Sequence, residues 1–465
     1  MEAFINSIND ALYSYILIIL LVLGGIYFTF RTRFAQFRLL KHQFKLTTEK
    51  NDSKGVSSFQ ALMVSTASRV GTGNIIGVAT ALCVGGFGSV FWMWVIAILG
   101  ASSAFIESTL AQIYKKRGKD GCYGGPAYYI EAATKSKWLA IIFSVFLILT
   151  YGLGFNMLAS FNLQSTFSSY SFYNQTYTPW IIGFILAALI AYCLFGGGKR
   201  ILSLTSFLVP IMGAIYILVA LVITIINAKL LPDIFKQIFE GAFDFKAIFG
   251  GFSGSCLMYG IKRGLFSNEA GVGSAPNASA SAEISHPAKQ GLVQVLSVFI
   301  DTLLVCTATA FMCMTSGVTP PNSSDQAAAY VQQSLSATLG NFGPIFMTVA
   351  MLLFAFTTLL GNLFYVDKAI NYLLGKEPSK LVKNIYYIVA SLVIFVGAGL
   401  SADLLWNIAD VTMGGMTLIN MPIIIYLGKY AIRTLKDYET KSKSGKEITF
   451  NKNDIGLPHK TDYWN

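Results

Sequence analysis

From Tyr259 to Pro276 the chain reads Tyr-Gly-Ile-Lys-Arg-Gly-Leu-Phe-Ser-Asn-Glu-Ala-Gly-Val-Gly-Ser-Ala-Pro, at a depth where its flanks place it within a membrane. Gly260, Gly264, Gly271, Gly273 and Pro276 weaken a helix here, and Lys262, Arg263, Asn268 and Glu269 are polar or charged. A lipid-facing helix does not tolerate that content. Irregular backbone at membrane depth is viable only where protein buries it or where it lines a water-filled cavity. Ionisable residues there are costly and mark sites. The stretch therefore predicts a broken helix whose break holds something.

Composition supports the membrane setting. Of the 465 residues, 54% are hydrophobic and 12% charged, and the mean hydropathy is +0.58. A soluble chain carries roughly twice that charged fraction. The net charge of +11 does not point to nucleic acid, because the basic residues sit between apolar runs, as in cytoplasmic loops. The six cysteines (Cys83, Cys122, Cys193, Cys256, Cys306, Cys313) form no CxxC pair and read as small core residues. His42, His286 and His459 all fall in polar segments, so no histidine-based metal or nucleophile site is expected.

Eleven spans follow, at about 11–31, 56–84, 89–114, 138–167, 179–195, 203–227, 247–282, 289–316, 342–372, 383–400 and 404–428. The first lacks a basic region before it and a cleavage site after it, so it reads as a retained span. Residues 325–339 read as a short surface helix and 436–465 as a mobile lysine-rich tail. With the N-terminus outside, 27 lysines and arginines lie in cytoplasmic segments and three outside. That asymmetry predicts an N-terminus outside, a cytoplasmic C-terminus and a multi-pass protein of the bacterial inner membrane.

The second span is also interrupted, at Val70-Gly71-Thr72-Gly73-Asn74-Ile75-Ile76-Gly77. It lies five spans before the seventh, so the two cross in opposite directions. The predicted fold is an all-α polytopic membrane protein with a 5+5 inverted repeat and two discontinuous helices. Its parts are an extra N-terminal helix with a basic loop (1–55), a first five-helix repeat (56–228), a second (247–430) and a basic tail (431–465). Matched interruptions in two halves point to a transporter site near the midplane. Breaking a helix exposes amide N–H groups at one new end and carbonyls at the other. A zwitterionic amino acid complements such a pair. Thr72 and Asn74 add neutral polar contacts, and Gly71 and Gly73 allow close approach. In the ninth span Thr357 and Thr358, with carbonyls near Val70 and Gly71, could form an oxygen cage for Na⁺. The competing reading has those threonines back-bonding within their own helix.

At these residues the chain resembles the alanine/glycine:cation symporter family. The resemblance is carried by Gln60-Ala61-Leu62, Ala67 through Thr80, Phe91-Trp92-Met93-Trp94, Gly124-Gly125-Pro126, Leu265 through Pro276, His286-Pro287, Gln290-Gly291 and Phe356-Thr357-Thr358. It runs in order from about residue 10 to 430. The resemblance implies a leucine-transporter-type fold and Na⁺- or H⁺-driven import of small neutral amino acids. It also implies Thr72, Gly73 and Asn74 as substrate contacts, with Ser267, Asn268 and Glu269 as the facing half. Two departures concern specificity. Where the family commonly carries Gln-x-Asn in the fourth span, this chain has Asn156-Met-Leu-Ala-Ser-Phe-Asn162. Where many alanine carriers have tryptophan in the ninth, it has Asn362. A carboxamide in place of an indole enlarges a pocket and adds a donor and an acceptor, so glutamine or another polar neutral amino acid is a second candidate substrate.

Glu269 reads either as a ligand or as a partner of Arg263 or a helix cap. Glu107 and Asp301 read as structural partners of a buried base or backbone group rather than as transported-proton sites, with Arg69 paired to one of the two. Trp92 and Trp94 read as interfacial anchors. No filter-like repeat suggests a channel, no nucleophile or metal cluster suggests an enzyme, and no GxxxxGK[ST] loop ties transport to ATP hydrolysis.

Overall fold

The computed structural model describes residues 7–9, 11–49, 55–118, 121–251, 255–444, 448–458 and 461–464. Lys50, Lys54, Lys119 and His459 lie outside them. The chain is helical nearly throughout, with a small hairpin of β1 (Lys116–Gly118) and β2 (Gly121–Tyr123). Among the described residues seven helices are long and apolar enough to cross a membrane, or eight with one bent pair counted as a span.

In order the helices are α1 (Leu17–Arg31), α2 (Leu40–Thr47), α3 (Ser58–Arg69), α4 (Gly73–Gly85), α5 (Gly88–Ile113) and α6 (Pro126–Thr134). Then come α7 (Lys137–Ser169), α8 (Thr178–Leu194), α9 (Gly197–Ile226), α10 (Leu231–Ala242), α11 (Cys256–Asn268) and α12 (Pro276–Ser279). The chain continues with α13 (Pro287–Met314), α14 (Ala327–Leu339), α15 (Phe342–Leu374), α16 (Lys380–Gly397) and α17 (Ala402–Lys443). Helix α5 is the central post, packed against α1, α11, α13 and α17. Gly260 and Gly264 let α11 approach it closely: a Cβ at Gly260 would stand 2.5 Å from the Ser89 carbonyl oxygen.

Helix starts follow local chemistry. A capping box opens α3: Ser57 accepts from the Gln60 amide, and the Gln60 side chain accepts from the Ser57 amide. At α13 His286 is the N-cap and Pro287 follows it. Two expectations change. Helix α14 is not a surface helix: Ala327, Tyr330, Val331 and Leu335 are buried. The C-terminal tail is not loose over its described residues. Helix α17 runs to Lys443, and Phe450, Ile455, Leu457 and Trp464 are buried beyond it, because a lysine-rich segment with four large apolar side chains can still cover apolar surface. Trp92 and Trp94 are half-buried and hydrogen-bonded, to the Ala242 carbonyl (3.2 Å) and to Thr307 Oγ1 (2.8 Å).

Candidate functional site

The first interruption separates α3 from α4 at Val70–Thr72, with a bend of 50°. Its Gly71 amide donates to Asn74 Oδ1 at 2.7 Å instead of closing a helical turn. The Ala67 carbonyl, four residues earlier, accepts from Thr358 Oγ1 at 3.0 Å. Gly71 is pressed against that hydroxyl: a Cβ there would lie 2.0 Å from Thr358 Oγ1. Thr358 on α15 is thus aimed into the break. Thr357 is not brought there. Its hydroxyl donates to the Leu353 and Phe354 carbonyls of its own helix and sits 3.4 Å from Met212 Sδ, because neighbouring helix positions point about 100° apart.

The second interruption runs between α11 and α12. Glu269 ends α11 in the left-handed region at φ 53°, and Gly271 and Gly273 follow at φ 84° and 90°. Lys262 and Arg263 are not part of the break. Helix α11 continues through them, since both meet Asp410 of α17: Lys262 Nζ at 3.0 Å and Arg263 through two nitrogens at 3.3 and 3.4 Å. The Arg263 guanidinium also stacks over Trp406, 4.0 Å from its centroid. Asp410 went unnoticed in the sequence, although an acid inside an apolar span was a usable signal. Two backbone groups of this break, the Gly273 amide and the Gly271 carbonyl, are held from afar. Glu107 Oε2 on α5 accepts from the Gly273 amide (3.1 Å) and from Asn420 Nδ2 (3.0 Å). Asn420 Nδ2 also donates to the Gly271 carbonyl, and its Oδ1 accepts from Tyr129. Glu107 is therefore a structural partner, but of a backbone amide. Arg69 makes no ion pair with a carboxylate among the described residues. One nitrogen donates to Gln294 (3.3 Å), while Nε and Nη2 have no hydrogen-bond partner.

Beside the first break lies a small cavity of about 10 Å³, lined by Ser68, Arg69, Gly71, Thr72, Gly73, Phe155, Phe266 and Thr358. That is the volume of about one water. Phe266 stacks on Phe155 (centroids 4.3 Å) and packs on Trp406 (4.8 Å), closing one side. Gly73 is needed for this closure, as its Cβ would stand 2.7 Å from the Phe266 ring.

Of the expected site residues, Gly71, Thr72, Gly73 and Thr358 line the cavity, and Val70 is buried beside it. Asn74, Ser267, Glu269 and Asn362 form the wall behind. Thr72 accepts from Asn162 Nδ2 at 3.1 Å. Asn74 Nδ2 lies 2.7 Å from Asp301 Oδ1 and 3.0 Å from Ser267 Oγ, and Ser267 donates to the other Asp301 oxygen at 2.7 Å. Ser68 Oγ stands 2.7 Å from Asn362 Oδ1 and 3.1 Å from Glu269 Oε1. Glu269 accepts on its other oxygen from Ser274, not from Arg263. Asn362 Nδ2 donates to Asn156 (2.9 Å). Asn268 turns to its own break, accepting from the Ala270 amide. Sequence reasoning missed the aromatic side, Phe155, Phe266 and Trp406, because an aromatic residue in an apolar span carries no distinguishing signal. Several buried polar atoms around the cavity have no partner: Nε and Nη2 of Arg69, Nδ2 of Asn156, and Oδ1 of Asn162. Such atoms cost free energy unless something polar meets them.

A family model described as the sodium:alanine symporter family matches residues 1–452. The chain is 40% identical over 469 residues to "Amino-acid carrier protein AlsT" of Bacillus subtilis, covering 100% of this chain and 98% of that protein. It is 41% identical over 470 residues to "Probable sodium/glutamine symporter GlnT" of the same organism, covering 100% and 96%. "Sodium/alanine symporter AgcS" of Methanococcus maripaludis is 36% identical over 451 residues, covering 95% and 98%.

Proposed function

The chain belongs to the sodium:alanine symporter family, a family of transporters and not of enzymes, and from this we propose that it imports a small neutral amino acid with Na⁺ by alternating access. The observation that carries the proposal is one small cavity at the first helix break, closed by Phe266 of the second broken helix and ringed by buried polar atoms without partners among the described residues. A ligand with both charges and few carbon atoms suits such a place. In this reading Thr72 and Gly73 contact the amino acid on one side. Asn74 and Ser267 hold the two broken helices in register through Asp301, and Glu269 with Asn268 forms the facing half. Asn362, behind Ser68, tunes the wall. Phe266 swings from Phe155 to admit the ligand, since the closed cavity is smaller than any amino acid. The fit to Na⁺ rests on the hydroxyl of Thr358 against Gly71, a cradle that any side chain there would fill. Thr358 with the carbonyls of Val70 and Gly71 would hold the ion, which supplies positive charge at the break and the driving gradient. Thr357 is left out of that set, as its hydroxyl serves its own helix.

Eleven spans are supported if the bent α3–α4 pair, the shorter apolar helices α1 and α8, and the interrupted α11–α12 segment are added to the seven long apolar helices. With the loop charges this favours the N-terminus outside and the C-terminus in the cytoplasm of a bacterial inner membrane. The experiment is counterflow in proteoliposomes with labelled alanine, glycine and glutamine, with and without a Na⁺ gradient. Saturable, Na⁺-dependent accumulation of alanine or glycine is expected; absence of counterflow for every neutral amino acid overturns the proposal. A second reading, transport of glutamine or a similar polar amino acid, is favoured by the carboxamide pair Asn362–Asn156 at the wall. Preference for glutamine over alanine in the same assay would select it.

A further inference from the structure

The described C-terminal residues are bound to the two residues, Gln112 and Lys115, that hold the end of the second break. The chain beyond α12 pairs with the entry to α3: Val56 and Ala282 form a parallel bridge, and the Glu283 amide donates to the Val56 carbonyl at 2.9 Å. Two side chains from the end of α5 secure the same stretch. Gln112 Nε2 donates to the Ser279 and Ala282 carbonyls, and Lys115 Nζ donates to Ala282 at 2.9 Å. Lys115 is fully buried and has no ion pair among the described residues. Its positive charge is met instead by aromatic faces from the tail, with Nζ 3.9 Å from the Tyr463 centroid and 4.9 Å from that of Trp464. The Trp464 indole N–H donates to the Gln112 carbonyl at 2.7 Å. Asp462 accepts from the Arg117 amide at 2.8 Å, and Arg117 donates to the Tyr463 carbonyl at 3.3 Å. Phe450 fills the gap between the Trp464 ring (5.2 Å) and the His286 ring (5.3 Å).

Inward opening, in the alternating-access reading on which this rests, requires the cytoplasmic ends of the two broken helices to separate. Residues 56 and 282 are those ends. Separation breaks their bridge and pulls Ala282 from Gln112 and Lys115, and the tail's aromatic pair holds the Lys115 side chain and the Gln112 backbone. We propose that residues 461–464, with Phe450, form a latch that keeps the cytoplasmic gate closed, Tyr463 and Trp464 acting through Lys115 and Gln112.

Hydrogen exchange on the unmodified protein in lipid nanodiscs tests this without a variant. Amides of 461–464 and of 280–284 are expected to gain and lose protection together, by about fivefold, between Na⁺ with alanine and K⁺ without amino acid. Spin labels on Phe59→Cys of α3 and Ser285→Cys beyond α12, both exposed, then report the gate. Trp464→Ala or Tyr463→Ala should raise the open population about tenfold and weaken the apparent affinity for external amino acid by a similar factor. Trp464→Phe, which keeps a ring over Lys115 but lacks the indole donor, should fall between. Uncorrelated protection of the two segments, or an unchanged distance distribution in Trp464→Ala, overturns the latch. A wild-type protein that moves no neutral amino acid instead sinks the transport reading; one that transports normally while the latch variants change nothing sinks the latch alone.

Discussion

The two breaks solve one problem in opposite ways. The first spans three residues and is satisfied almost locally: Asn74, three residues on, takes the Gly71 amide, and only Thr358 comes from outside to meet Ala67. The second spans seven residues, and its backbone is held by Glu107 and Asn420 from helices distant in sequence. A locally capped break can shift its few free carbonyls without losing the fold. A break held by remote side chains ties three helices together, so moving it moves the bundle. The first is suited to gripping an ion, the second to transmitting a hinge.

That contrast predicts where damage is greatest. Glu107→Ala strips the Gly273 amide and Asn420 of their acceptor inside the protein. It should cost about 2–4 kcal/mol, read as a large drop in thermal midpoint and folded yield. Thr72→Val at the first break should leave folding closer to wild type and mainly raise the amino acid concentration needed for half-maximal uptake. Equal loss of folded protein in both variants would erase the distinction. Next in size, Thr358→Val should raise the Na⁺ requirement for uptake by about tenfold or more, whereas Thr357→Val should change it by less than about twofold. Similar sensitivity of the two adjacent threonines, in Na⁺-titrated uptake, would remove the first break from ion binding. Smaller still, Asn362→Trp crowds Ser68 and Asn156. It should shift the ratio of glutamine to alanine counterflow several-fold toward alanine; an unchanged ratio would mean that residue 362 does not shape the pocket.

How much of this could be read from residues alone follows the same division. The first break was legible because glycines, a small hydroxyl and its capping asparagine are contiguous. The second was legible in existence but misplaced. Lys262 and Arg263 read as part of the irregular stretch, yet they lie on continuous helix, since Asp410 neutralises both from 147 or more residues away. Long-range pairing also hid the partner of Arg69, which meets Gln294. Thr357 and Thr358 look equivalent in sequence and are separated only by the rotation of the helix. The tail read as mobile because its lysines dominate the composition, while the four apolar side chains that dock it are spread thinly along it.

A further effect concerns the exit of the second break and is set by protons. His286 caps α13, with Nδ1 accepting from the Ala288 amide at 3.3 Å and Nε2 placed to donate to Asp437 at 3.1 Å. Only a neutral ring can do both, so the contact with Asp437 is a hydrogen bond of the neutral form. Burial holds the pKa down to about 4, against an opposing pull from Asp437. Above roughly pH 6.5, where the unfolded ring is also neutral, this arrangement contributes its full stability. As pH falls from there toward 4 the unfolded chain takes up a proton that the folded chain refuses, and up to about 3 kcal/mol is lost. Hydrogen exchange at pH 7.5 and pH 5 should therefore show residues 280–288 loosening in acid while residues 66–74 stay protected. His286→Asn retains a capping oxygen without a titrating group and should abolish the acid response. Equal loosening of both breaks in the wild type, or full acid sensitivity in His286→Asn, would show that the two breaks share one stability and that their different anchoring has no consequence.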